Sequence, residues 1–503
     1  MKKLTRLALT LLAVITCFSS FTACGKTKAP NTATDIQIYL WESGYGTEFM
    51  KEIVAGFNAK QDVYKATLET EQDASVIINT LSLGTSNTYD LYFTMLNTNQ
   101  YNKDFIALDS VLDYTAEGES KSIREKYYDY ALNGVKNADG TTNFLTYGNG
   151  WCGIVYNKDV IDGGNYTLPR TSKELADLTA TIANDITDKK FPGVKAPWLF
   201  YNDKYNNGYL DYLTFVWEAQ YDGLDYYYNT LLALKDEKGV TPSKEVFLRE
   251  DGRLKALTAL EGVIAPETVH DAHTDTIFTN VQTLYLNGEA VFMVNGSWLM
   301  NESTGSKTNF GMMKTPVISS IVEKLEDTSM SDRTLSAIVK EIDDGATSSD
   351  KCSQADFDRI KSARNLLYNN TSQQYVFIPE YSNAKEGSIE FLKYFYSDEG
   401  LLKFMNATGL ANSAKLDDES KFDVNKLDDW HKIQVNFANN LTALTDAKNK
   451  SSVFLNSSIN QFAGVTYGQD LCNQNKNDRK SAEQLWKAIQ TTINNSWKDW
   501  SGV

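Results

Sequence analysis

Apolar residues alternate with polar or amphipathic ones at Ile36, Ile38 and Leu40, just before Trp41. That period of two predicts a strand. Phe49, Ile53 and Phe57 then recur every four residues, the spacing of one helix face. A strand over 66–70, a helix over 76–83 that ends near Gly84, and a strand over 89–95 follow. This order predicts a parallel sheet with crossover helices. Such sheets bind ligands at the carboxyl ends of their strands, where Trp41-Glu42 and Tyr92-Phe93-Thr94 fall.

Farther on, Leu175, Leu178, Ile182 and Ile186 predict a helix capped by Thr171-Ser172. An apolar, aromatic helix is expected over 209–220. The helix over 281–286 stops at Asn287-Gly288, and 290–294 is a short apolar strand. Residues 317–374 read as polar-faced helices around the acidic stretch 343–350, which lacks the calcium-loop order D-x-[DN]-x-[DN]-G and is expected to be a solvated linker. Residues 375–379 are strand-like. From Ser388 the chain reads as helical to its end, closing with Leu485, Ile489, Ile493 and Trp497 at intervals of four.

Composition narrows the class. With 503 residues, 42% hydrophobic, 23% charged and 12% aromatic, the chain is aromatic-rich in a way that disordered chains are not, and its length suggests two or three lobes. A net charge of −16 excludes a basic nucleic-acid binder. At the N-terminus, Lys2, Lys3 and Arg6 precede the apolar run from Leu7 to Phe18, and small polar residues lead into Cys24. That is the layout of an export signal, and the run is too short for a membrane span of about 20 residues. Residues 1–23 are thus expected to be removed and 24–34 to form a polar tether. Cys152, Cys352 and Cys472 lie far apart without CxxC spacing, and His270 and His273 have no third ligand indicated, so no metal site or cofactor is expected.

Several motifs together resemble a known family. Phe21-Thr22-Ala23-Cys24-Gly25 resembles a bacterial lipobox, in which Cys24 would become the acylated first residue; the departure is Phe21, where Leu is usual, and cleavage with Cys24 as a bystander is the alternative. The run from Leu284 to Trp298 (Leu-Tyr-Leu-Asn-Gly-Glu-Ala-Val-Phe-Met-Val-Asn-Gly-Ser-Trp) resembles the "F..G.aAM...G.W" motif of family 1 extracellular solute-binding proteins, the carbohydrate receptors of bacterial ABC importers. Residues 383–409 are similar to that family's "N.e.A.eFl.fl.s.egq..f....G" helix pair, and 151–159 to its "l.YNKd" strand. Pro169 to Leu175 stands where "P.TWeEL" is expected, without the Trp. The resemblance implies an α/β, two-lobed periplasmic-binding-protein-like fold with a hinge and an interlobe ligand cleft. One lobe would be 35–145 plus 375–410, the other 146–316 plus 411–503, and 317–374 a helical insertion.

It also implies a lipid-anchored monomer at the outer face of the cytoplasmic membrane, which hands a carbohydrate, an oligosaccharide for a chain this long, to ABC permease subunits. Sugar sites need flat apolar faces and hydrogen-bonding rims. Expected ligand-binding residues are Trp41, Glu42, Tyr92, Thr94, Asn149, Trp151, Asn295 and Trp298, with Trp298 at the family's stacking position. Trp41 has a core plug as its alternative, the Tyr92 ring has the core, and Trp217 reads as core. The tyrosines of 221–228 are either cleft rim or wet loop. There is no G-x-S-x-G, H-E-x-x-H or GxxxxGK[ST] motif and no GxGxxG after a strand, so no enzyme is expected. The alternatives are a lipid-anchored surface glycoside hydrolase, since 65 carboxylates could always supply a pair, and a carbohydrate-binding adhesin.

Overall fold

Alternation in the first strand sends Ile36, Ile38 and Leu40 into one buried cluster and Tyr39 and Trp41 toward another, so both faces of its sheet are covered. The next helix, Glu48–Lys60, buries Phe49, Ile53 and Phe57, as its four-residue spacing requires, with Met50 beside them. These features come from a computed structural model that describes residues 34–95, 104–137, 139–201, 207–303, 305–370, 374–445, 450–457 and 459–502. The signal segment, Cys24 and tether residues 24–33 lie outside the described residues.

The strands in chain order are β1 (Thr34–Trp41), β2 (Tyr64–Glu71), β3 (Leu91–Thr94), β4 (Leu145–Thr146), β5 (Trp151–Asn157), β6 (Ala196–Trp198), β7 (Ala290–Gly296), β8 (Phe310–Met313), β9 (Leu366–Asn369), β10 (Tyr375–Phe377) and β11 (Thr442–Leu444). They form two sheets. The first runs β2-β1-β3-β10-β4, parallel across β1, β2 and β3 as the alternating elements predict, and antiparallel on both sides of β10. The second runs β11-β9-β5-β7-β6, with β8 also paired to β5. Each sheet has its own core, one holding Ile38, Phe93 and Phe391, the other Ile154, Trp217 and Leu260. Two α/β lobes result.

The chain crosses between the sheets from β4 to β5, from β9 to β10, and again before the helix Asp429–Asn440. This last crossing lies beyond the expected residue 411. Ala414 still bridges Tyr127, and Leu416 packs in the first core.

Residues 317–374, expected as an insertion, are instead woven into the second lobe. Val317 bridges Thr171, and the helices Asp332–Asp343 and Gln354–Arg364 send Leu335, Ile338, Phe357 and Ile360 into that lobe's core. β9 sits between β5 and the edge strand β11. Three apolar residues in a row, Leu366 to Tyr368, ahead of Asn369 carry no period of their own, so only long-range pairing reveals the strand. The C-terminal region is likewise broken by β11 before its last helix, Ala482–Ser501, which buries Leu485, Ile489 and Ile493. No helix among the described residues is long and apolar enough to cross a membrane.

Candidate interlobe binding site

A cavity of about 690 Å³ opens between the lobes where β1 and β7 end. On the first lobe, the Trp41 indole N–H donates to the Gln72 carbonyl (3.0 Å) and the Glu42 amide to the Glu71 carbonyl (2.8 Å), which ties the end of β1 to its neighbour. The chain then turns through residues 43–47 into the helix Glu48–Lys60. Gly46 takes a positive φ of 67° in this turn, which favours glycine. The lip so formed carries Tyr45, buried against Phe404 (ring centroids 5.8 Å apart), and burial pushes its phenol up.

On the second lobe, Ser297 and Trp298 follow β7 directly, and Asn301 and Glu302 lie one turn further on the short helix Leu299–Glu302. Trp298 is bedded on glycine. A Cβ at Gly296 would lie 2.3 Å from its ring, and one at Gly150 would lie 3.1 Å away. The Tyr209 ring meets the indole edge-on at 5.9 Å and packs on Phe278 at 5.0 Å. Behind it Tyr212 stacks on Tyr209 and on Tyr368 at 5.0 and 4.5 Å. Trp41 thus faces a cavity whose opposite wall is aromatic.

The polar rim holds Glu42, Glu48, Gln72, Asn301, Glu302, Asn370 and Gln374. Glu302 is exposed along the cavity wall, and partial desolvation by the protein around it raises its pKa against the opposing hydrogen bond from Gln282 (3.1 Å). The buried Asn370 donates through Nδ2 to the Tyr212 hydroxyl (3.2 Å), while its Oδ1 has no partner among the described residues. No group of three or more His, Cys, Asp or Glu side chains among the described residues could hold a metal ion.

Of the expected site residues, the structure brings Trp41, Glu42 and Trp298 to the cavity wall. The others stand behind it. Tyr92 is fully buried: its hydroxyl receives the Asn87 amide (2.5 Å) and lies 2.8 Å from the Tyr381 hydroxyl, and its ring stacks on Phe377. Thr94 is buried too, paired with Tyr375 across the sheet, because β10 flanks β3 and both faces are covered. Trp151 packs between Tyr130 and Phe437 in the core. Asn149 holds two crossings together, its Oδ1 accepting from Tyr130 (2.9 Å) and Asn369 (2.5 Å). Asn295 supports the site at one remove: its Nδ2 donates to Gln282 Oε1 (3.0 Å), and Gln282 in turn donates to Glu302.

Tyr209, Phe278, Glu302 and Asn370 were not foreseen from the sequence. Only Glu302 carries a local signal, its position four residues after Trp298, which puts both on one side of a single helical turn.

No family model matches the sequence, and no curated protein matches it either. Solved structures do match in fold. Maltose-bound MalE3 of T. maritima is 14% identical, with a TM-score of 0.60 over 92% of this chain and 100% of that one. The solute receptor AcbH, whose substrate preference is for β-D-galactopyranose, is 13% identical, with a TM-score of 0.61 over 93% and 99%. A family 1 extracellular solute-binding protein of Bifidobacterium longum subsp. infantis is 18% identical, with a TM-score of 0.52 over 92% and 99%. The chain therefore has the two-lobed periplasmic-binding-protein fold.

Proposed function

We propose that this protein captures a soluble carbohydrate, an oligosaccharide rather than a monosaccharide, and delivers it unchanged to the permease subunits of an ABC importer. The observation that carries this proposal is the interlobe cavity, with Trp41 on one lobe, Trp298 on the other, and a rim of carboxylates and amides. A pyranose offers C–H faces to stack on such rings and hydroxyls to donate to such a rim. The volume falls within the roughly 300–1,000 Å³ of small-molecule pockets. The fold shared with maltose-bound and galactose-preferring receptors supports the same assignment.

Because the wall comes from both lobes, a bound sugar touches both, and it favours the closed arrangement through contacts that an open one lacks. Cys24 is the site of acylation in this proposal, residues 25–33 are the tether, and the receptor works as a monomer at the outer face of the cytoplasmic membrane without chemistry of its own. Replacement of Cys24 by Ala then moves the protein from the detergent to the aqueous phase on partitioning of whole cells.

The test is a thermal-shift screen of the 25–503 protein against mono- and oligosaccharides. A ligand at 100 times its Kd adds about 2.7 kcal/mol. Stabilisation by a sugar that is recovered intact is the expected result. Cleavage of the sugar would replace the receptor with a hydrolase, and silence across the panel would remove carbohydrate as the cargo.

A further inference from the structure

The described wall of the cleft is one-sided in charge. It holds three carboxylates, Glu42, Glu48 and Glu302, and no Lys, Arg or His among the described residues. Glu48 has Lys51 beside it at 2.5 Å, outside the wall, whereas Glu42 and Glu302 have no ion pair among the described residues. Among the described residues Glu302 accepts one hydrogen bond, from Gln282, on Oε2. Its Oε1 faces the lip of the first lobe, where a Cβ at Gly44 would stand 2.7 Å from it. The buried Asn370 adds an acceptor, Oδ1, that has no partner among the described residues. Five aromatic rings, Trp41, Tyr45, Tyr209, Phe278 and Trp298, line the same space.

These features ask for the same ligand chemistry. When the lobes close on a ligand, water leaves the Glu302 carboxylate, and a desolvated charge is costly unless it is paired. A neutral hydroxyl offers one donor. An ammonium offers three donors, no acceptor and a full counter-charge, and aromatic faces attract it further. An anionic sugar would meet like charge.

We propose that the cleft selects a basic saccharide, one carrying a free amino group, with Glu302 as the specificity-determining residue that pairs with the ammonium. This selection rests on the saccharide-receptor function proposed above. The upward shift of Glu302 adds a pH signature: as pH falls through its pKa the carboxylate is neutralised, and the preference for the amine is lost.

The experiment is calorimetric titration at pH 7 with matched di- and trisaccharides: glucosamine, N-acetylglucosamine and glucose oligomers, the corresponding galactosamine and galactose series, and galacturonate oligomers. Within the series that binds, the amine form is expected to bind at least tenfold more tightly than its N-acetyl and neutral partners. The gap should narrow at high salt, and galacturonate should not bind. Glu302→Gln should bring amine and neutral forms together while the apo-protein melts no lower than wild type, because the substitution removes a partly desolvated charge. Equal or tighter binding of the neutral partner, or a gap that survives Glu302→Gln, overturns the amine selection and leaves the receptor function standing. Binding of no member of any series removes the receptor function, and this inference with it.

Discussion

Gly44 allows a direct test of lobe closure. It lies in the lip of the first lobe, against the second: a Cβ there would sit 2.7 Å from both Trp298 Cβ and Glu302 Oε1. Its φ is not in the left-handed region, so alanine is compatible with the backbone of its own lobe. Gly44→Ala therefore leaves an open form untouched and crowds only the arrangement in which the lobes meet. Overpacking of this kind costs about 1–3 kcal/mol, which at 1.4 kcal/mol per tenfold weakens binding by about 5- to 150-fold. The assay is calorimetric titration of both proteins with the saccharide that stabilises wild type, paired with small-angle scattering with and without that saccharide. Apo-protein melting should be unchanged or slightly higher, since a glycine has been removed from the unfolded chain. Affinity should fall, and compaction should be smaller. Unchanged affinity together with wild-type compaction would refute closure through contact at Gly44.

Two further outcomes follow from buried groups outside the cleft. Tyr92→Phe removes the hydroxyl shared with Asn87 and Tyr381; it should lower stability by about 1 kcal/mol in denaturant titration and leave saccharide affinity unchanged, whereas lost affinity would return Tyr92 to the site. Asp222 is pushed up to about 6 by burial first and by Asp251 second, so its charge costs the folded state more than the unfolded one. Its contribution is fully present below about pH 4, the ordinary value, and is lost as pH rises through 6. Asp222→Asn should remove about 2–3 kcal/mol of this loss, seen as a flatter difference in melting temperature from pH 4 to 7; a slope unchanged from wild type would contradict the assignment.

The first lobe was legible in the sequence because its signals are local. Alternation at Ile36, Ile38 and Leu40 and the four-residue spacing of Phe49, Ile53 and Phe57 each specify an element without help from distant residues. β9 was illegible for the opposite reason: it is a strand because Trp151-Cys152 and residues 442–444 pair with it, and neither is near in sequence. The site divides in the same way. Trp41 ends β1 and Trp298 follows the end of β7, and the cavity opens at those ends. Tyr92 lies within β3 and Trp151 opens β5, and central strands with both faces covered bury their aromatics whatever the period of two suggests. Glu302 and Asn370 reach the wall through a short turn and a chain crossing, whose direction is set by tertiary packing.

Replacement of Trp298 by Ala tests the central claim most directly, because the indole lines the cavity from the second lobe and contributes only partly to that lobe's core. Removal of a stacking aromatic anchor costs at least about 2 kcal/mol, roughly thirtyfold in Kd. Calorimetric titration of Trp298→Ala beside wild type, with the stabilising saccharide and a melting curve for each apo-protein, should show binding lost or weakened beyond that factor while the cooperative melting transition persists. A saccharide that binds the variant with wild-type affinity would place its site elsewhere and contradict the account.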